Sequence, residues 1–441
     1  MLDRRDFIKM CGMSGLAVTV GSMSEKEAEA AGSHSFAILY HAGGGWTVTH
    51  ICDPKPAGSQ AEVDQQGPKD VMSNYTTVGT AGNLRYAPLE TLPNANGGGL
   101  AIGTFFQRHY QELLVINGVD MATNAHDVGT RAIWAGDMAE GKPTVAALLS
   151  AGLAPGAPMG YISAGGYDVT AGVAPATRLG NIDTVKRVAF PYRANPNVAD
   201  DLYLTEETAA RIQAARQQRF DVKSKQQRLP RLHTAMNRLH LSRLGQNELK
   251  QLIDYLPSED ALQGETNMVQ SVMLAAAAFR AGLCAVVSIG TGGWDNHDSV
   301  DQNLVQNTDD LFPQISRITE VLEEQGIRDR SAIFMGSDFG RTPGYNDGAG
   351  KDHWAVSSMM VMGYVNGRKI AGNREVGVTD EGHNPVGLDP NTNQPGGNKR
   401  IGVGHIQNAI RKLYGIQDTD AARLFPSNAP ASEFPDLITL E

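Results

Sequence analysis

SAIFMGSDFGRTPGY, residues 331–345, passes from an uninterrupted apolar run into a loop of carboxylate, glycine, arginine and proline. The run 331–337 has no alternation of apolar and polar side chains and is short, which suits a strand buried on both faces. The same construction recurs outward along the chain. SFAILYHAGGG (35–45), ELLVING (112–118), GLCAVVSIG (282–290) and SSMMVMGYV (357–365) read as strands, with a weaker one at MGYIS (159–163). Helical patterns lie between them at 126–136, 143–151, 266–281, 299–325 and 405–414. Strands alternating with helices predict an α/β layered fold, a parallel or mixed sheet covered by helices. One stretch differs: 205–260 opens charged, nearly glycine-free and helix-favouring, and is predicted to be a helical insertion broken near Pro230 with its basic residues on a solvated face.

The 441 residues carry 38 basic and 48 acidic side chains, so the net charge is 38 − 48 = −10. That balance argues against a nucleic-acid binder, which needs a basic face for phosphates. Three cysteines are too few for a disulfide-stapled scaffold. A Cys52–Cys284 bridge is open to the mature chain, while Cys284, inside an apolar run, reads as a core thiol. No apolar run reaches the ~18 residues of a membrane span.

The first thirty residues read as an address. Arg4 and Arg5 are followed by Phe7, Ile8 and Lys9, then by a short apolar stretch from Cys11 to Met23, then by Ala28 and Ala30 as a small-residue cleavage site. That order is the twin-arginine export signal. It predicts the export machinery as a partner, a periplasmic or extracellular destination, and a mature single α/β domain over 31–441.

Three loops carry chemistry. GTGGWDNHD (290–298) places Asp295 and His297 directly after a predicted strand; MGSDFGRTPGYN (335–346) does the same with Asp338 and Arg341; GAGKDHWAV (348–356) places Asp352 and His353 just before another. Carboxylates and imidazoles gathered beyond strand ends suit a metal or anion site in an α/β sheet. Mixed Asp/His shells suit Zn or Mn; more oxygen would suit Ca or Mg. His41, after the first strand, is a further candidate. LDPNTNQPGGNKR (388–400) lacks the glycine and glutamate of a calcium loop and reads as a polar surface loop.

The order of twin-arginine signal, GGWDNH, SDFGRTPGYN and KDHW resembles the exported bacterial family known as domain of unknown function 1501, which is similar in turn to the alkaline phosphatase and sulfatase superfamily. The resemblance spans about residues 35–415 and implies a three-layer αβα sandwich with a mostly parallel central sheet. It also implies that Asp295, His297, Asp338 and His353 hold one or two divalent ions. Arg341 would bind a substrate anion as a two-pronged fork. In the family's Gly-Gly loop, here GGGWTVTHICDPKP (43–56), relatives tend to have an aspartate where this chain has His50, an imidazole still able to ligate metal. Asp53 reads as a turn residue before Pro54. The usual Asp-His pair is here Asp338-Phe339, so one imidazole is missing. The helix start that should offer a hydroxyl or thiol nucleophile offers His126, in NAHDVGTRAIWAG (124–136). Three readings stand: His126 is a ligand or an acid/base, Thr130 is the nucleophile, or a water activated by metal attacks directly.

The leading expectation is therefore an exported metal-dependent hydrolase of phosphate or sulfate esters. Its substrate would be a small molecule or a glycan ester, since an acidic surface steers polyanions poorly. The rival is a non-catalytic periplasmic or cell-surface protein that keeps the superfamily core for binding or assembly.

Overall fold

A computed structural model of the chain describes residues 34–59, 71–179, 182–230, 232–233, 235–237, 240 and 248–441. The expected export signal lies outside these residues. The six apolar runs picked out above become β1 (Phe36–Ala42), β2 (Leu113–Asp120), β3 (Tyr161–Ala164), β5 (Val286–Thr291), β6 (Ser331–Ser337) and β7 (Val356–Val365) of one sheet, which two short strands that no such run marked, β4 (Ala176–Thr177) and β8 (Arg374–Val376), complete at its edges. Their order across the sheet is β8-β2-β7-β6-β1-β5-β3-β4, and the short strand Arg368–Lys369 pairs off β7. Neighbours β6, β1, β5, β3 and β4 are all parallel; only β7 runs against its two neighbours, β2 and β6.

The lack of alternation in the strands follows from burial on both sides. In β1, Phe36, Ile38, Tyr40 and Ala42 enter one core, whereas Ala37 and Leu39 enter the other. The first core is closed by helices α1 (Leu100–His109), α4 (Asn267–Arg280) and α5 (Val300–Glu324). The second is closed by α2 (His126–Ala135), α3 (Val145–Leu153) and α6 (Val403–Leu413). The result is a three-layer αβα sandwich with a mostly parallel sheet. The helix Glu206–Gln226 buries none of its residues, in keeping with its nearly uniform polar sequence. Shorter helices at Glu248–Ile253 and Glu259–Leu262 follow it.

Cys52 and Cys284 are both buried free thiols, so no bridge joins them. Burial pushes each thiol well above its ordinary titration range. Among the described residues, no helix is long and apolar enough to cross a membrane.

This topology decides where the chemistry gathers. β1, β5 and β6 are adjacent and parallel, so the loops that leave their C-terminal ends meet at one edge. β2 delivers the start of α2 to that edge, and the antiparallel β7 begins there, just after His353.

Candidate metal centre

The loop after β1 is Gly43–Gly45, and its backbone must lie against the loop after β5. A side chain on Gly44 would put Cβ 2.4 Å from the Asp295 amide nitrogen, and its φ of +127° is one that other residues rarely adopt. With no side chain there, the Gly44 amide reaches the Asp338 carboxylate, at 3.2 Å from Oδ1 and 3.1 Å from Oδ2. Gly129 does a similar service in α2: a Cβ would fall 2.2 Å from the Asp338 carbonyl oxygen, so the helix rests directly on that loop.

Asp338 is buried and takes N–H groups from three directions. Besides Gly44, His126 Nδ1 lies 2.6 Å from Oδ2 and His41 Nε2 lies 3.0 Å from Oδ1. Burial works to raise its carboxyl, but the hydrogen bonds and charge of His41, then His126 and Gly44, hold it below the ordinary carboxylate range. On the far side of the His41 ring, Trp134 donates its indole N–H to Nδ1 at 3.0 Å. That bond makes Nδ1 an acceptor and leaves the His41 proton on Nε2, aimed at Asp338. Thr130 Oγ1 stands 3.4 Å from the same Nε2.

The exposed part of the site is a ring of imidazoles around Asp295 Oδ1. His297 Nε2 lies 3.0 Å from that oxygen, His353 Nε2 3.3 Å and His126 Nε2 3.6 Å. His297 Nε2 and His353 Nε2 are themselves 3.0 Å apart. Each ring is anchored through its other nitrogen to an oxygen that can only accept: His126 Nδ1 to Asp338, His297 Nδ1 to Asp352 Oδ1 at 3.1 Å, and His353 Nδ1 to the Asn124 carbonyl at 2.8 Å. With the protons of neutral rings on the three Nδ1 atoms, three Nε2 lone pairs face a carboxylate oxygen and one another. Lone pairs so placed repel unless a proton or a cation lies among them. Metal-bound histidines are anchored in this way, with the other ring N–H given to a carboxylate or carbonyl. One donor atom each from His126, Asp295 and His353 lies within 4.8 Å of the others, so these residues can hold a cation.

The two acidic loops are sewn together. Asn346 Nδ2 donates to the His297 carbonyl at 2.9 Å and to Asp352 Oδ1 at 3.1 Å, and the Lys351 amide donates to the Asn296 carbonyl at 3.0 Å. The Asn346 bond, followed by the one from His297, draws the Asp352 carboxyl below its usual range.

Arg341 departs from the expected fork. Its side chain is 1% exposed. Nε donates to the Gly45 carbonyl at 2.7 Å, Nη1 to the Lys351 carbonyl at 3.0 Å, and Nη2 to the Gly44 carbonyl and to Asp295 Oδ1 at 2.5 Å. A guanidinium enclosed by carbonyls orients loops and the Asp295 carboxylate; it does not reach out to an anion. Burial works to raise the Asp295 carboxyl, and the Arg341 contact outweighs it, keeping that group ionised to lower pH than usual.

His50 stands apart from this ring. It is fully buried beside Asp301 Oδ1 at 3.0 Å and Tyr345 Oη at 3.1 Å, with Thr49 Oγ1 at its other ring nitrogen. Asn74 and Tyr345 complete the Asp301 carboxylate. The expected ligand is thus committed to an internal network, and burial depresses its pKa. Asp53 is likewise an internal anchor, accepting from Thr379 Oγ1 at 2.5 Å. Of the nine site residues named from sequence, the structure brings Asp295, His297, His353, His126, Asp338 and His41 together, with Arg341 and Thr130 behind them. Trp134, Asp352 and the Asn124 carbonyl also hold the site; all three stood in quoted motifs, Asn124 and Trp134 in NAHDVGTRAIWAG and Asp352 in GAGKDHWAV, but nothing local marks an indole or a backbone carbonyl as a partner of a distant imidazole.

Comparison with solved structures finds likeness at low identity. A lipoteichoic acid synthase, LtaP, from Listeria monocytogenes shares 9% identity over 96% of this chain and 81% of its own, with a TM-score of 0.38. The PsFucS1 sulfatase from Pseudoalteromonas sp. shares 10% over 97% and 77%, at 0.31. A TAB5 alkaline phosphatase mutant with Mg bound shares 10% over 75% and 91%, at 0.29. Comparison with curated protein sequences finds no match. The family model described as protein of unknown function DUF1501 matches residues 36–390, and the chain belongs to that family.

Proposed function

We propose that the chain is an exported, divalent-metal-dependent hydrolase of phosphate or sulfate esters. The observation that carries this reading is the convergence of three Nε2 lone pairs on Asp295 Oδ1 at a solvent-open edge, where the His297 and Asp295 side chains remain 48% and 47% exposed. A cation held on such an edge keeps room for a further ligand, as hydrolytic sites require and closed structural sites do not. When bound, a divalent ion supplies a Lewis acid that polarises an ester oxygen and acidifies water. The chain's residues do the rest. Asp338, Asp352 and the Asn124 carbonyl fix the tautomer and direction of the three rings, and Arg341 fixes Asp295. The ester class draws on the resemblance of the motif order to the DUF1501 family and of that family to the phosphatase and sulfatase superfamily, and export on Arg4, Arg5 and the apolar stretch after them.

A second reading, a binding protein that keeps the core without turnover, draws on His126, which stands where that superfamily places a hydroxyl or thiol. The test is metal analysis of chain purified without chelator, followed by a panel of aryl phosphates and sulfates. Bound metal with turnover that is lost in His353→Ala supports the hydrolase. Bound metal with no turnover on either ester supports the binding protein. A chain that holds less than about half an equivalent of metal, even after dialysis against Zn²⁺ or Mn²⁺, overturns the hydrolase and leaves the binding protein. Export is tested separately: Arg4→Lys together with Arg5→Lys is expected to leave the chain in the cytoplasm, and unchanged export refutes the signal.

A further inference from the structure

The donors at the centre are three imidazole nitrogens and one carboxylate oxygen. Magnesium and calcium choose oxygen-rich shells, whereas imidazole suits zinc, cobalt and their neighbours. The spacing agrees. Four donors about 2.0–2.1 Å from an ion in a tetrahedral shell lie about 3.3 Å from one another. The separations from Asp295 Oδ1 to the three Nε2 atoms are 3.0, 3.3 and 3.6 Å, and His297 to His353 is 3.0 Å.

The side of the site beneath these donors offers little to a second ion. Both Asp338 oxygens are spent on the N–H groups of His41, His126 and Gly44. His41 has no lone pair to give, because Nδ1 already accepts from Trp134 and Nε2 carries the proton toward Asp338. The neighbouring Phe339 is fully buried, its ring centroid 4.8 Å from that of His126 and 4.5 Å from that of His353. It presents hydrocarbon where a ligand would have to stand.

We propose that the centre takes one ion only, a borderline transition ion of the Zn²⁺ or Co²⁺ kind, with Nε2 of His126, His297 and His353 and Oδ1 of Asp295 as its donors, and that His126 is a ligand rather than a nucleophile or proton carrier. The proposal rests on the reading of this edge as a metal centre and narrows it.

Cobalt provides a readout independent of turnover. Full-length chain stripped with chelator is titrated with Co²⁺ and followed by visible absorption, then back-titrated with Zn²⁺ by calorimetry. The expected result is one equivalent of each, displacement of Co²⁺ by Zn²⁺, and no displacement by millimolar Mg²⁺ or Ca²⁺. His126→Ala is expected to lower Zn²⁺ affinity at least about tenfold and to alter the cobalt spectrum. His126→Gln, which keeps a polar side chain at the helix start, guards against a folding defect, and both variants are checked by near-ultraviolet circular dichroism. Two equivalents of metal, displacement by Mg²⁺ or Ca²⁺, or an unchanged cobalt spectrum in both folded variants would overturn this inference while the hydrolase reading stands. Absence of binding by any divalent ion would remove the hydrolase reading with it.

Discussion

Asp338→Asn is nearly isosteric, yet the structure fixes where its consequence must fall. An amide offers one acceptor oxygen and one NH₂, and the NH₂ cannot face an N–H. Asp338 meets His41 Nε2–H through Oδ1 and His126 Nδ1–H through Oδ2. His41 cannot hand its proton to Nδ1, because Trp134 donates there. The amide oxygen is therefore kept for His41, and the NH₂ turns to His126. That ring must then accept at Nδ1 and carry its proton on Nε2, the nitrogen aimed at the ion. Loss of such an anchoring partner costs about 10- to 100-fold in metal affinity, roughly 1.4–2.7 kcal/mol. Zinc calorimetry on the folded variant reads the loss directly. Trp134→Phe in the same chain frees His41 to change tautomer, so the double variant is expected to recover part of the affinity although it carries one more substitution. Zinc affinity in Asp338→Asn within twofold of the parent, or a double variant no better than the single, would refute the tautomer argument.

Three further outcomes follow from packing and burial. Gly129→Ala should gain about 1 kcal/mol from helix propensity, but its Cβ would fall 2.2 Å from the Asp338 carbonyl oxygen; the melting temperature is expected to fall, and a rise would show that the helix shifts freely. His50→Ala, which breaks a buried partner of Asp301, is expected to cost about 3 kcal/mol in denaturant unfolding while zinc stoichiometry is unchanged; lost metal with intact stability would return His50 to the centre. His383 is fully buried with no hydrogen-bond partner at either ring nitrogen, and burial lowers its pKa to about 4. A depressed folded value means that the neutral ring's stability is present above the unfolded value of about 6.5 and is lost as pH falls toward 4. Between pH 7.5 and 5 that group alone removes about 2 kcal/mol. His383→Asn, compatible with the local φ of +57°, should show a correspondingly shallower decline, and parallel curves for parent and variant would contradict the assignment.

The sheet was legible because burial on both faces leaves an unmistakable trace. Runs such as 331–337 and 282–290 are apolar but for a serine or two, with no alternation, and both became central strands. The helix at 267–280 was equally plain, since its buried face is continued by alanines. Helix α1 was not, because Gly98, Gly99 and Gly103 obscure its pattern. Of the residues gathered at the candidate centre, Asp295 and His297 could be picked out because carboxylate and imidazole stand next to glycine after a strand. His50 misled because residue type and family position say nothing of depth; Asp301, 251 residues away, claims it. Arg341 misled for the same reason. A guanidinium beside a conspicuous loop reads as an anion binder until the carbonyls of Gly44, Gly45 and Lys351 are seen to enclose it. His41 could be suspected only from its place at the end of a strand, and its role depends on Trp134 and Asp338, neither near it in sequence.

The imidazole at 126 and the phenyl ring at 339 belong to one physical arrangement. An imidazole at the start of α2 points its Nε2 usefully only if Nδ1 has a fixed acceptor, and Asp338 supplies it at 2.6 Å. Serving His126, His41 and Gly44 at once, that carboxylate has no oxygen left to ligate a second ion, so a further imidazole at 339 would have no partner in doing so. An apolar ring there is the better tenant: it packs against both His126 and His353 and restricts their rotation. Under the one-ion proposal, His126 adds a nitrogen to one position while Asp338 and Phe339 close the other. Chemistry at this edge would be confined to what one ion and a solvent molecule can do, without a covalent link to the chain.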